Sequence, residues 1–468
     1  MKPSLPLSLL LFILLTACSP SQLGGTTAPD LLPTPSAPVE ILPTGVPQTP
    51  TDAPLDIPPT DTPQLPTEVV LPLTPTPLPP TPSPAALGSL QVAFINASSD
   101  LVVWRETDGS FATLVEAANA IDLRLSDDGT MVAYRRDFDF GQQELWVVNT
   151  DGSNHRLLLS VDALAALDPD ALGVLIYLYE WIPNTHTLAF NTVEYVEAPG
   201  LFLNDDLHFL DTDTGESTTQ LTAGTGGNFV FSPDGQQYAV IGQDFDEGVG
   251  TISLLNTDGT NLRTDVLTYP YVLTYSEANY YAEPVWSPDS SFLRVAIPPQ
   301  DALGDLTAPT TLWEIPAAGP ALQLGEVVSQ PLSPVLFSPD LSHIVYTRLY
   351  SPDTDFSTTD LVIAGADGRD EIVYVTGSLS FANWAPDSQH FIFVSNDPQE
   401  TYLGVVDGDF SRLTDIPFVW NVTWVDGTRY LFSNQAGTGW QMQLGTLGGA
   451  PALLVELPDR TPLFDFDN

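Results

Sequence analysis

The side chains able to do chemistry are unevenly supplied. There are five histidines (His155, His186, His208, His343 and His390), one cysteine (Cys18), and 59 acidic residues against 13 basic ones. His186, His343 and His390 stand at the same place in a repeated segment, just after a turn. A position repeated in this way serves the fold rather than a single metal site. Aspartates crowd into short turns such as Asp211-Thr212-Asp213-Thr214-Gly215. These lack the full ligand spacing of a helix-flanked calcium loop, and a hairpin turn accounts for them without an ion, so no metal or cofactor is expected. No Gly-x-Ser-x-Gly elbow is present, nor any Gly-rich phosphate cradle. One enzymatic option stays open: paired Asp/Glu side chains at the mouth of a channel, acting as acid and base on a polysaccharide or peptide. The leading expectation is a protein that binds without catalysing.

Charge and cysteine content narrow the classes further. A formal net charge of −46 argues against nucleic acid or anionic lipid as a ligand, since both need a positive field. A lone cysteine excludes an internal disulfide, a Cys-rich zinc site and c-type haem attachment. Lys2 is the only lysine; the other basic residues are twelve arginines.

The elements fall into two regimes. Met1-Lys2 precedes an apolar run from Leu5 to Leu15, too short to span a bilayer and the right length for a secretory signal. Leu15-Thr16-Ala17-Cys18 resembles the bacterial lipobox, which implies cleavage after residue 17 and lipidation of Cys18. Residues 18–86 then form a Pro/Thr-rich tether. Positions 19–86 hold twenty of the 44 prolines, six acidic residues and no basic one. Such a segment is confined to polyproline II and coil, about 3.1 Å per residue where extended. The expected location is extracytoplasmic, lipid-anchored to the bacterial cell envelope, either at the outer membrane or on the outer face of the cytoplasmic membrane.

Residues 87–468 carry an internal repeat. Its clearest copy is Phe231-Ser232-Pro233-Asp234-Gly235 followed by Tyr238-Ala239-Val240. It recurs at Trp286-Ser287-Pro288-Asp289, Phe337-Ser338-Pro339-Asp340 and Trp384-Ala385-Pro386-Asp387. Weaker copies are at Leu125-Ser126-Asp127-Asp128-Gly129, Trp181-Ile182-Pro183-Asn184 and Trp424-Val425-Asp426-Gly427. A spacing of 40 to 56 residues is that of propeller blades rather than of a helical solenoid. In each copy an aromatic closes one strand, Pro and Asp make the turn, and an apolar strand leaves. An apolar run and a second tight turn follow, giving four strands, a to d. The expected fold is therefore all-β, a propeller of four-stranded antiparallel blades. Units begin near residues 90, 131, 187, 237, 292, 343, 389 and 428, which makes eight blades; seven is the alternative if the Trp181 copy is misassigned. The first unit lacks a strand a, and Leu463-Phe464-Asp465-Phe466 at the C-terminus has the pattern of one, so the last strand is expected to close the ring.

The Ser-Pro-Asp-Gly hairpin, the outgoing strand and the Asp-Gly turn resemble the TolB-like branch of the WD-type β-propellers across 87–468. The Gly-His and Trp-Asp signatures of true WD repeats are absent. The resemblance implies a periplasmic scaffold. Its kinship to propeller-bearing peptidases carries no activity here, because no nucleophile elbow exists. Ser126-Asp127-Asp128-Gly129-Thr130 is partly similar to the sialidase Asp-box, but Gly and Thr are out of register and Trp is missing.

What remains is a face. The a–b and c–d turns are uniformly tight. The b–c segments 135–144, 191–206, 242–250, 297–311 and 347–360, and the d–a connections 160–173 (with a helical turn) and 269–283, are long. Long loops in a compact fold more often bind than decorate. The candidate contact residues are Tyr195, Phe202, Asp205, Asp206, Tyr271, Tyr275, Tyr280 and Tyr281, since tyrosine gives large contact area at low entropic cost. Expected partners are the membrane, through the lipid anchor, and a protein or glycan of the envelope.

Overall fold

The structure, a computed structural model, describes residues 90–467 apart from 139–141, 196–200, 245–246, 261, 276–278, 352–354, 414–415, 417–420, 438 and 459–462. The expected signal sequence, Cys18 and the expected tether lie outside the described residues. Among the described residues, no helix is long and apolar enough to cross a membrane.

Eight antiparallel sheets are present. In chain order from blade 2, strand a is Asp122–Leu125, Val174–Trp181, Asn228–Phe231, Val285–Trp286, Leu336–Phe337, Leu379–Trp384 and Asn421–Trp424. Blade 1 takes its strand a from the other end of the chain. Phe464–Asp467 pairs antiparallel with Gln91–Ile95, matching Val92 with Phe466 and Phe94 with Phe464. The sequence count of eight blades and the closure by the C-terminal strand both hold. Blade 3 departs from the pattern by carrying a fifth strand, Leu201–Leu203, folded back on Thr187–Tyr195.

The ring is held by eight apolar clusters, one at each blade junction. The cause is the period of two along strand b, whose alternate side chains point to opposite neighbours. In blade 1, Ala93 and Ile95 pack toward blade 2, while Val92 and Phe94 pack toward blade 8. In blade 4, Tyr238 and Val240 face blade 3, while Ala239 and Ile241 face blade 5. A strand buried on both sides has to be apolar throughout, which is why the repeat reads as unbroken apolar runs.

The outer strand of each blade is a free edge. Seven of the eight blades show a register shift between strands c and d. Such irregularities twist an edge away from flat pairing with another chain. Some long segments are not loops. His343–Ser351 and Asp355–Gly365 continue the b–c hairpin of blade 6 through most of 347–360. In blade 4, Gln237–Asp244 and Val249–Asn256 take up most of 242–250. The helical turn expected in 160–173 is Val161–Ala165, capped by Ser160.

Candidate functional site

The two rims of the ring are built from different chemistry. On the tight-turn rim, each Ser-Pro-Asp copy closes on itself. The Ser232 hydroxyl donates to Asp234 Oδ1 (2.6 Å) and accepts from the Gln237 amide (2.9 Å). The same arrangement joins Ser287 to Asp289 and Ser338 to Asp340. The residue after Asp has φ near +60°, filled by Gly235 (φ 69°) but also by Ser290 and Leu341. Where serine replaces glycine it gains a function, since Ser290 Oγ accepts the Asp234 amide of the preceding blade and Ser388 Oγ that of Asp340. Hydrogen bonds from Ser291 and Ser287 hold the Asp289 carboxyl below its usual range.

The aromatic that closes strand a also reaches across. The indole N–H groups of Trp181, Trp286 and Trp384 donate to the carbonyls of Arg124, Val230 and Leu336 in the preceding blade. Arginines complete the joints. Arg105 donates to the Thr150 carbonyl, Arg156 to that of Thr212, Arg263 to those of Pro316 and Ala317, Arg294 to that of Leu341, and Arg429 to Glu106, each in the next blade. A guanidinium has five donors in a fixed fork and suits such a clamp better than an ammonium. All eleven described arginines have a polar partner in the fold. The repeated histidines belong to this rim, with His186 on Asp128, His390 on Asp387 and His343 on Ser342. Among the described residues, no group of three or more His, Cys, Asp or Glu could hold a metal ion.

The other rim holds a polar knot at blade 3. Asp206, 5% exposed, accepts from the Thr192 amide (2.7 Å), the Thr192 hydroxyl (2.6 Å) and His208 Nε2 (2.9 Å). Burial alone would raise its carboxyl, but the bonds from His208 and Thr192 win and hold it below the usual range. His208 is stacked on Phe190 at 4.9 Å, and its Nδ1 meets Thr219 Oγ1 at 3.2 Å. Asp205, next in the chain, behaves oppositely. Burial raises its carboxyl to about 6, with the Asp206 charge adding to the rise and the Tyr281 hydrogen bond opposing it. Between about pH 4 and 6 the folded chain therefore keeps a proton on Asp205 that the unfolded chain releases, so this group's stabilising contribution fades as pH rises through 6.

The candidate tyrosines separate into two kinds. Tyr281 is 8% exposed, packs in the junction of blades 4 and 5, and donates to Asp205 Oδ1 at 3.2 Å. Tyr280 packs against the same cluster and donates to the Ala296 carbonyl. Tyr281 is core, which corrects its placement on the contact surface, since it fills a blade junction that a serine would leave void; Tyr280 is partly buried against the same junction. Tyr271, half-buried, donates to Asn279 Oδ1 at 3.0 Å. Tyr275 is 66% exposed, with φ 54°, and donates to Asp301 Oδ1 at 2.8 Å. Tyr195 ends strand b of blade 3, half-buried and paired with Leu201. Phe202 pairs with Glu194, and its side chain lies outside the described residues. Of the expected contact residues, Tyr275 is exposed, Tyr271 and Tyr195 are half-buried, and Asp206 is sealed in its knot. His208 was passed over as a site; its signal is one polar residue inside the apolar run Leu207-His208-Phe209-Leu210.

The same rim opens into a groove of about 620 Å³ lined by Gly224–Gly226, Gly242, Asp244, Glu247, Thr251, Ser253, Asp265 and Thr268. Val240, which lines it and also packs in the junction with blade 3, places it on the face of blade 4 that looks toward blade 3. It abuts the polar knot, because the Gly226 amide donates to the Asp205 carbonyl. Gly242 keeps it open: a Cβ there would meet the Gly226 carbonyl at 3.1 Å and Thr251 Oγ1 at 3.3 Å.

No protein-family description matches the chain. No curated protein matches it in sequence. Among solved structures, an oligogalacturonate lyase in complex with manganese is similar over 65% of this chain and 82% of its own, with 17% identity and a TM-score of 0.43. TolB from Acinetobacter baumannii is similar over 79% of this chain and 78% of its own, with 13% identity and a TM-score of 0.36. The β-propeller domain of the Trilobed protease from Pyrococcus furiosus is similar over 73% of this chain and 99% of its own, with 14% identity and a TM-score of 0.45. What the chain has in common with these neighbours is the propeller fold.

Proposed function

We propose that this chain is a lipid-anchored, extracytoplasmic propeller that acts by binding a protein or glycan on its long-loop rim. The observation that supports this reading is the division between the rims. On the tight-turn rim the serines, aspartates, indoles and arginines are committed to blade joints. The opposite rim carries exposed Tyr275, half-buried Tyr271 and an open polar groove. With the described arginines engaged in the fold, that rim suits a cationic or polyhydroxylated partner better than an anionic one.

The test uses the full chain in detergent as bait for envelope proteins, alongside a glycan array. Replacing Tyr271 and Tyr275 with serine is expected to weaken capture about tenfold or more with little change in melting temperature. Tyr281→Ser is expected to melt early, losing about 2–4 kcal/mol of buried aromatic packing. If the Tyr271/Tyr275 variant captures its partner unchanged, the contact face lies elsewhere. Anchoring has its own measurement: Cys18→Ala should abolish fatty-acid labelling and move the protein out of the membrane fraction. Labelling that persists would sink the anchor.

A second reading, a hydrolase or lyase acting on polysaccharide or peptide, is favoured by one observation. Asp205 and Asp206 are adjacent carboxyls whose ionisation is pushed in opposite directions, a pattern seen in acid/base pairs. Against it, both Asp206 oxygens are taken by Thr192 and His208. Turnover of a polysaccharide or peptide that is lost in Asp205→Asn would favour the enzyme.

A further inference from the structure

We infer that the groove between blades 3 and 4 binds an extended, lysine- or arginine-bearing peptide segment of a partner protein. This rests on the binding reading above and names the class of partner. The groove is concave and, at about 620 Å³, within the range of ligand sites. Its wall is the b–c–d surface of blade 4, and its other side is the Gly224–Gly226 connection from blade 3.

The lining chemistry selects the ligand. Asp244, Glu247 and Asp265 are all exposed carboxylates, and none forms an ion pair among the described residues. Thr225, Thr251, Ser253, Thr264 and Thr268 supply hydroxyls that accept as well as donate. Among the described residues, no arginine or lysine lines it. An anionic ligand would meet three uncompensated negative charges. Among the described residues, the lining holds no aromatic side chain on which a neutral sugar could stack. An ammonium or guanidinium finds both a favourable field and carboxylate and hydroxyl acceptors. The shape adds to this: strands b, c and d run side by side beneath the groove, so a peptide laid across them meets Asp244 and Glu247 at the rim end and Asp265 at the far end. Asp265 has φ 50°, in the irregular c–d register opposite Ser253, whose Oγ accepts its amide.

The probe is a fluorescein-labelled peptide of about eight residues alternating lysine and alanine, titrated into the full-length protein and followed by anisotropy. Micromolar binding is expected at about 50 mM salt, weakening about tenfold or more near 500 mM as the charges are screened. A glutamate–alanine counterpart should not bind. The combined Asp244→Asn, Glu247→Gln and Asp265→Asn variant should lose about tenfold or more in affinity at an unchanged melting temperature. If that variant folds poorly, Thr268→Arg, an exposed change that sets a competing cation in the groove, should produce the same loss. The Tyr271/Tyr275 variant should bind the peptide normally. Equal binding by the groove variants overturns the proposal, as does binding of a neutral oligosaccharide in place of the peptide. Partner capture that needs Tyr271 and Tyr275 but not the groove would leave the rim reading standing without this one. Groove-dependent peptide binding, with partner capture unchanged in the Tyr271/Tyr275 variant, would do the reverse.

Discussion

Deleting residues 462–468 is expected to lower the unfolding midpoint in denaturant by more than any single surface change. The deletion removes strand a of blade 1, which pairs with Gln91–Phe94 at four positions. It takes away Phe466, 6% exposed and packed with Val425, Leu431 and Met442 of blade 8. It also removes Asp465, whose Oδ2 accepts the Leu125 amide of blade 2 at 2.7 Å. Loss of one buried phenylalanine costs about 3–5 kcal/mol. The orphaned edge of Gln91–Ile95 and the exposed side of the blade 8 junction add to that. The total is a large share of the roughly 5–15 kcal/mol by which folded domains are stable. Phe466→Ala should account for about half of the loss. An unchanged midpoint in the truncated chain would mean that the ring is stable without its last strand.

The second large effect should come from Asp206→Ala. This carboxylate is buried and satisfies an amide, a hydroxyl and an imidazole at once. Its removal leaves those donors in a closed space, and breaking a buried polar pair from one side costs about 3–5 kcal/mol. Thermal melting at pH 7 should show the drop. Asp206→Asn, which keeps one acceptor, should lose less. Adding His208→Phe to the alanine variant should recover part of the loss, because a phenyl ring can keep the stack on Phe190 without asking for an acceptor. A loss under about 1 kcal/mol would mean that water replaces the carboxylate, and that the knot is wetter than its geometry suggests.

The blade pattern was legible because it repeats. Ser-Pro-Asp turns recur with the chain's own period, and an unbroken apolar strand b leaves little choice but burial between two neighbours. Even the orphan strand at 464–467 was visible, since Phe464-Asp465-Phe466 alternates like any other strand a. The contact face was less legible. The tyrosines of 269–283 sit in a connection without a period, so nothing in the order of residues tells Tyr275, turned to solvent, from Tyr281, turned into a junction. Asp206 and His208 read as an acidic loop residue and a strand interruption, and only the fold brings Thr192 and Thr219 to them. The groove is further out of reach, being assembled from a glycine connection of one blade and three strands of the next.

Closure by the C-terminal strand has a mechanical consequence. Whatever load reaches the ring through the chain before Leu90 enters at Gln91–Ile95. This is not an edge strand: it is hydrogen-bonded to Leu101–Arg105 on one side and to Phe464–Asp467 on the other. A pull along it must shear two ladders at once rather than peel one bond at a time. The Asp465 bond to Leu125 passes part of the load to blade 2 and the packing of Phe466 passes part to blade 8. The joint that seals the ring is thus also the place where it is gripped.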